Sequence, residues 1–109
     1  MLIEESYTIA VLIPCYNEES TISDVVLKFK EVLPNSKIYV YDNNSTDNTY
    51  TLAKESGAIV RKEEYQGKGN VIRRMFADIE ADIYLIVDGD MTYDPSAAQP
   101  MINKLINNN

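Results

Sequence analysis

The sequence predicts an α/β chain built on a mainly parallel sheet with helices on both faces, in the order β-α-β-α-β-α-β-α. Three observations lead there. Short apolar runs of strand length alternate with segments of helical apolar spacing along all 109 residues. One five-residue apolar run, Ile83-Tyr84-Leu85-Ile86-Val87, has the unbroken hydrophobicity of a strand covered on both faces. The segments after the strands hold the clustered carboxylates, amides and glycines, and a parallel sheet presents ligand-binding groups at the carboxyl ends of its strands.

Thr8-Ile9-Ala10-Val11-Leu12-Ile13 reads as the first strand, ended by Pro14, which cannot donate to a central ladder. Pro14 to Glu19 then forms a strand-to-helix loop. From Ser20 the period changes, and Ile22, Val25, Val26, Phe29, Val32 and Leu33 fall at helical spacing until Pro34-Asn35. Lys37 to Tyr41 is the second strand, running into Asp42-Asn43-Asn44-Ser45-Thr46-Asp47, a loop rich in helix-capping side chains. A short helix follows to Gly57, which suits a left-handed C-terminal position. Ala58 to Arg61 is a short third strand. Gly67-Lys68-Gly69 opens a helix with Val71, Ile72, Met75, Phe76 and Ile79 on one face. The fourth strand, 83–87, follows. Asp94 and Pro95 are placed as N-cap and first helical residue of a turn at 95–98. A last helix from Gln99 keeps Pro100 in its first turn, with Met101, Ile102, Leu105 and Ile106 as its apolar face. The three closing asparagines carry no structural signal.

Composition narrows the function classes. At 45% apolar and 25% charged residues the chain is ordinary globular sequence of one domain, without repeats or linkers. A net charge of −7 argues against a nucleic-acid partner or an anionic membrane surface. Cys15 is the only cysteine and there is no histidine, which removes disulfide frameworks, thiolate or imidazole metal sites and histidine-dependent nucleophiles. Glu4 and Glu5 stand where a signal peptide would be positive, and no run approaches the roughly 18 apolar residues of a membrane span, so a cytoplasmic setting is expected.

The chemistry concentrates in the loops. Asp88 and Asp90, two apart at a strand end, point to one side, with Gly89 between them free to turn or to approach a ligand closely. Two carboxylates there repel unless a cation relieves them, and Mg²⁺ or Mn²⁺ bridging to a diphosphate fits oxygen donors of this kind. Asp42, leaving its strand as Asp88 does, and Asn43 beside it can accept from a nucleobase N–H or a ribose hydroxyl. Helix capping accounts better for Ser45, Thr46 and Asp47. Lys68 between two glycines at a helix start can bring an ammonium and backbone N–H groups to a diphosphate, although no Walker pattern is present. Tyr16 can line a base or sugar pocket. Glu18 and Glu19 suit either a site or the first turn of a helix.

Taken together, Ile13-Pro14-Cys15-Tyr16-Asn17-Glu18-Glu19, Tyr41 to Thr49, Gly67-Lys68-Gly69-Asn70 and Val87-Asp88-Gly89-Asp90 resemble family 2 glycosyltransferases, most of all the polyprenyl-phosphate sugar synthases such as dolichol-phosphate mannosyltransferase. The resemblance spans residues 8–95. It implies a Rossmann-like GT-A fold, a UDP- or GDP-sugar donor, a divalent metal and transfer with inversion, with a polyprenyl phosphate as one acceptor class. It also implies that Pro14, Tyr16, Glu18, Asp42 and Asn43 hold the nucleoside, and that Asp88 and Asp90 hold metal and diphosphate. Two departures stand out. Asn43 occupies a place where the family usually carries a second acidic residue, and family members continue well past this length. The chain is therefore expected to be a truncated donor-binding half, residues 1–109, inactive alone. Its acceptor-side catalytic residues would lie beyond its end, and a longer protein would be the place for any membrane association. A truncated sheet edge is expected to favour homo-oligomers. Two other readings stay open: a sugar-nucleotide pyrophosphorylase-like domain, and a non-catalytic receiver-like interaction domain with Asp88 and Asp90 as an acidic pocket.

Overall fold

A computed structural model of the chain describes residues 7–107. Glu4 and Glu5, and the last two of the terminal asparagines, lie outside the described residues. The elements follow the expected alternation: β1 (Ile9–Cys15), α1 (Ile22–Val32), β2 (Lys37–Asp42), α2 (Thr49–Glu55), β3 (Ile59–Lys62), α3 (Lys68–Asp78), β4 (Ile83–Ile86), a 3-10 turn (Pro95–Ala97) and α4 (Ala98–Asn107). The sheet is four-stranded in the order β3-β2-β1-β4, and every pairing is parallel. The chain therefore builds outward from β1 to β3, then crosses back to place β4 on the other side of β1. That reversal puts a topological switch point between β1 and β4, where open α/β sheets form ligand crevices.

β1 is the strand that the sheet covers completely, every residue being buried. Its alternate side chains serve two cores. Ile9, Val11, Ile13 and Cys15 join Ile38, Val40, Leu85 and Val87 beneath α1 and α4. Ala10 and Leu12 join Tyr41 beneath α3, against Val71, Met75 and Ile79. α1 is held by Ile22, Val25, Val26 and Phe29, and burying a side chain of this size contributes roughly 1.5–3 kcal/mol.

Four expectations change. β1 does not stop at Pro14. It runs through Pro14, opposite Tyr41, to Cys15, opposite Asp42. The carbonyls of Cys15 and Leu12 accept from Asn43 and Val87 respectively, so Pro14, in phase with Leu12, turns its missing N–H toward β4. The β1–β4 ladder has ended there, at Leu12 opposite Ile86, and the proline costs no hydrogen bond. β4, read as covered on both faces, is an edge strand with Ile86 38% exposed. On α3 the buried row is Val71, Met75 and Ile79, while Phe76 is exposed and meets Tyr84 edge-on at 5.0 Å. On α4 the buried row is Ala98 and Ile102, with Ile106 partly covered, and Met101 and Leu105 face outward. In each case the apolar stripe is wider than the surface the helix covers. Gly57 adopts φ +96, as its place after α2 requires.

Candidate functional site

Ladder hydrogen bonds continue past the strands and bring the loops to one end of the sheet. Cys15 O accepts from Asn43 N at 2.8 Å, Asp42 O from Glu63 N at 3.0 Å and Leu12 O from Val87 N at 3.0 Å. The first and second loops are then fastened side chain to backbone. Asn17, left-handed at φ +52, donates its N–H to Ser45 Oγ and accepts from Thr46 N through Oδ1, both at 2.8 Å. Glu18 N donates to the buried Thr49 hydroxyl at 2.8 Å, and that hydroxyl donates to Asp47. Glu19 accepts from Asn48 N at 3.1 Å. Capping was the expected work of Ser45, Thr46 and Asp47. Asp47 does meet Thr49 N at 3.0 Å, but Ser45 and Thr46 spend themselves on Asn17.

At this end lies a cavity of about 170 Å³ lined by Pro14, Cys15, Tyr16, Glu18, Asn43, Lys68, Val71 and Asp88. Roomier hollows occur elsewhere, such as one of about 380 Å³ at the opposite, amino ends of the strands. The smaller one gathers most of the sequence-derived residues: Pro14, Tyr16, Glu18, Asn43, Lys68 and Asp88. Lys68 Nζ donates directly to Asp88 Oδ1. Glu18 has its carboxyl raised above the usual range by burial first, then by the charges of Asp90, Asp88 and Asp47. Asp90 goes the other way: the Thr92 hydroxyl and N–H, at 2.6 and 3.1 Å, hold it ionised below the usual range. One ammonium thus faces several mutually repelling carboxylates, an arrangement that a further hard cation would relieve. Among the described residues no group of three or more histidine, cysteine or acidic side chains forms a ready metal cage. The donor set instead suits an ion that takes carboxylates from the protein and its remaining oxygens from a ligand, as Mg²⁺ does with phosphates.

Gly89 has a definite reason to be glycine. A Cβ there would lie 2.7 Å from Cys15 Sγ and 3.4 Å from Glu18 Cγ. The close approach is thus to the chain itself, and Thr21 Oγ1 fixes the turn by donating to Gly89 O. Cys15 is buried, which pushes its thiol far above the ordinary value.

Three sequence-derived residues are placed differently from the rest, and one of them, Asp90, is tied to Thr92 and does not line the cavity. Asp42 is 2% exposed, accepts from Ser45 N at 3.3 Å and does not line the cavity. Asn43 lines it, but its amide is engaged with the segment before α3: Nδ2 donates to Glu63 O and Tyr65 O, both at 2.8 Å, and Oδ1 accepts from Gly67 N at 3.0 Å. Sequence reasoning placed Asn17, Thr49 and Cys15 in the motifs at this end but gave them no role there. A clue for the first was available, because asparagine is the residue that most readily takes a left-handed turn after glycine.

The family model for glycosyl transferase family 2 matches residues 10–109. Protein RfbJ of Shigella flexneri is 57% identical over 103 residues, covering 94% of this chain and 80% of the relative. Dolichol-phosphate mannosyltransferase of Pyrococcus furiosus is 24% identical over 106 residues, covering 91% of this chain and 30% of the relative. Among solved structures, glucosyl-3-phosphoglycerate synthase from Mycobacterium tuberculosis, in complex with Mn²⁺, uridine-diphosphate and glucosyl-3-phosphoglycerate, superposes with a TM-score of 0.82 at 28% identity, covering 94% of this chain and 40% of that one. The chain spans most of the length of RfbJ but less than half of the other two.

Proposed function

Since the chain belongs to glycosyltransferase family 2, we propose that it binds a nucleotide-sugar donor, a UDP-sugar before a GDP-sugar, for inverting transfer to an acceptor. The observation that carries this reading is the cavity at the β1/β4 switch point, where Tyr16, Glu18, Lys68 and Asp88 meet beside Asp90. The preference for uridine rests on the uridine-diphosphate complex of the mycobacterial enzyme.

In this reading Tyr16, 53% exposed at the cavity mouth, stacks on the base, and Pro14 forms part of the same wall. Lys68 offers its ammonium to the diphosphate, and Asp88 and Asp90 hold Mg²⁺ or Mn²⁺. The cation supplies neutralisation of the charge that develops on the leaving nucleoside diphosphate. Asp90 is kept ionised for that role by Thr92. Glu18, raised by burial and then by its acidic neighbours, becomes easier to ionise once positive charge arrives. An acceptor that is itself a phosphate anion, such as a polyprenyl phosphate, needs little help from a general base. No helix among the described residues is long and apolar enough to cross a membrane. Self-association through the open β4 edge belongs to the same proposal, and sedimentation of the chain over a range of concentrations reads it directly.

Thermal unfolding tests the donor reading. With Mn²⁺ present, UDP-glucose at a hundred times its Kd stabilises the fold by about 2.7 kcal/mol. Chelation with EDTA or the substitution Asp90→Asn removes the shift. A wild-type melting point indifferent to both UDP-glucose and GDP-mannose, with metal at hand, contradicts the proposal.

A further inference from the structure

We propose that Asn43 is a positioning residue for the diphosphate side of the site, acting through Lys68, and not a reader of the nucleobase. The inference rests on the donor-binding reading above. Asn43 is 6% exposed at the end of β2. Both of its N–H donors are engaged by main-chain carbonyls, those of Glu63 and Tyr65, and its oxygen takes the N–H of Gly67. An asparagine side chain offers two donors and one acceptor oxygen, so a single lone pair is left for any ligand. That is too little to recognise a base edge, which needs paired contacts.

What the side chain does instead is fix the path from β3 into α3. Asn44, next in sequence and left-handed at φ +67, adds a bond from Nδ2 to Glu64 O at 2.8 Å. Two successive asparagines therefore clasp three successive carbonyls, those of Glu63, Glu64 and Tyr65. The clasp closes on Gly67, at φ +115, the residue before Lys68. Lys68 starts α3 and reaches Asp88 from there. Among the described residues no other side chain at the end of β2 hydrogen-bonds to the 63–67 segment. Asparagine is also specific for the task. An aspartate presents only acceptors to the carbonyls of Glu63 and Tyr65, so it would repel the segment that asparagine holds.

The experiment uses Mn²⁺ with UDP and, separately, with GDP as probes, on wild type, Asn43→Asp, Asn43→Ala, Lys68→Met and the two double variants. Amide exchange at Gly67 is followed without nucleotide. Expected are faster exchange at Gly67 in Asn43→Ala and about ten-fold weaker binding of whichever nucleotides wild type binds, the size of losing a buried hydrogen bond or two. In the Lys68→Met background the same Asn43 substitutions then cost little more, because the residue they act through is gone. Asn43→Ala introduces no charge and keeps the test open should the aspartate variant fail to fold. Equal losses with and without Lys68, or a loss confined to one base, overturn the inference while leaving donor binding intact. Unchanged Gly67 exchange overturns the clasp itself. Absence of any Mn²⁺-nucleotide binding in wild type removes the underlying reading, whatever Gly67 shows.

Discussion

Asp88-Gly89-Asp90 shows how much a single residue can decide. The two carboxylates were legible from sequence as a strand-end pair, and so was the need for glycine between them. Its cause was not legible, because Cys15 meets Gly89 across 74 residues of sequence and no local pattern records that contact. Gly89→Ala is expected to cost about 1–3 kcal/mol in chemical denaturation, the range for overpacking a tight site. Cys15→Ala in the same chain should recover part of it, since the methyl would otherwise meet Sγ at 2.7 Å. Glu18 gives a pH-dependent test. Its carboxyl binds a proton more tightly in the fold than its ordinary value of 4.5 implies, so its contribution favours folding below that pH and is lost as pH rises through the raised value. Glu18→Gln is therefore expected to melt higher than wild type at neutral pH, with the difference shrinking toward pH 4.5. A constant difference across that range would show that ionisation of Glu18, opposed by its burial and then by its acidic neighbours, is not the cause. The same variant should bind Mn²⁺-UDP more weakly, because the relieved charge is one the cation uses.

At the scale of elements, the strands and helices followed from periodicity, and the errors came at surfaces that periodicity cannot see. An apolar run says that residues prefer burial, not which of two faces is covered. That is why Ile83 to Val87 read as covered on both faces although β4 is an edge, while the equally long apolar run at β1 is the one buried throughout. Pro14 misled for a related reason: a proline breaks a ladder only on the side its nitrogen faces, and strand order decides which side that is. The joining of the first two loops was equally hidden, since each half looks like ordinary capping sequence. Thr49 is its buried centre, accepting from Glu18 N and donating to Asp47. Thr49→Val keeps the shape and removes the hydroxyl, leaving Glu18 N unsatisfied. A loss of about 1–3 kcal/mol is expected. Thr49→Ser should retain most of the stability, and equal losses for valine and serine would mean that packing, not hydrogen bonding, sets the cost.

At the scale of the molecule, strand order β3-β2-β1-β4 makes the account hang together. It sets the ends of β1 and β4 side by side, so that a loop with Tyr16 and Glu18 faces a strand end with Asp88, and α3 brings Lys68 between them. The order of elements could be read from the sequence, and the motifs were legible one by one. Their convergence could not be derived from spacing, because it depends on the crossover that returns β4 to the side of β1. Paramagnetic broadening tests this placement directly. With UDP and a small proportion of Mn²⁺ added to the labelled chain, the amide signals of Glu18, Gly89 and Asp90 should broaden first. Those of Lys37, Glu80 and Ala81, around the cavity at the opposite end of the strands, should stay sharp. Broadening centred on that opposite end, or none near Asp90, would contradict a donor site at the β1/β4 switch point.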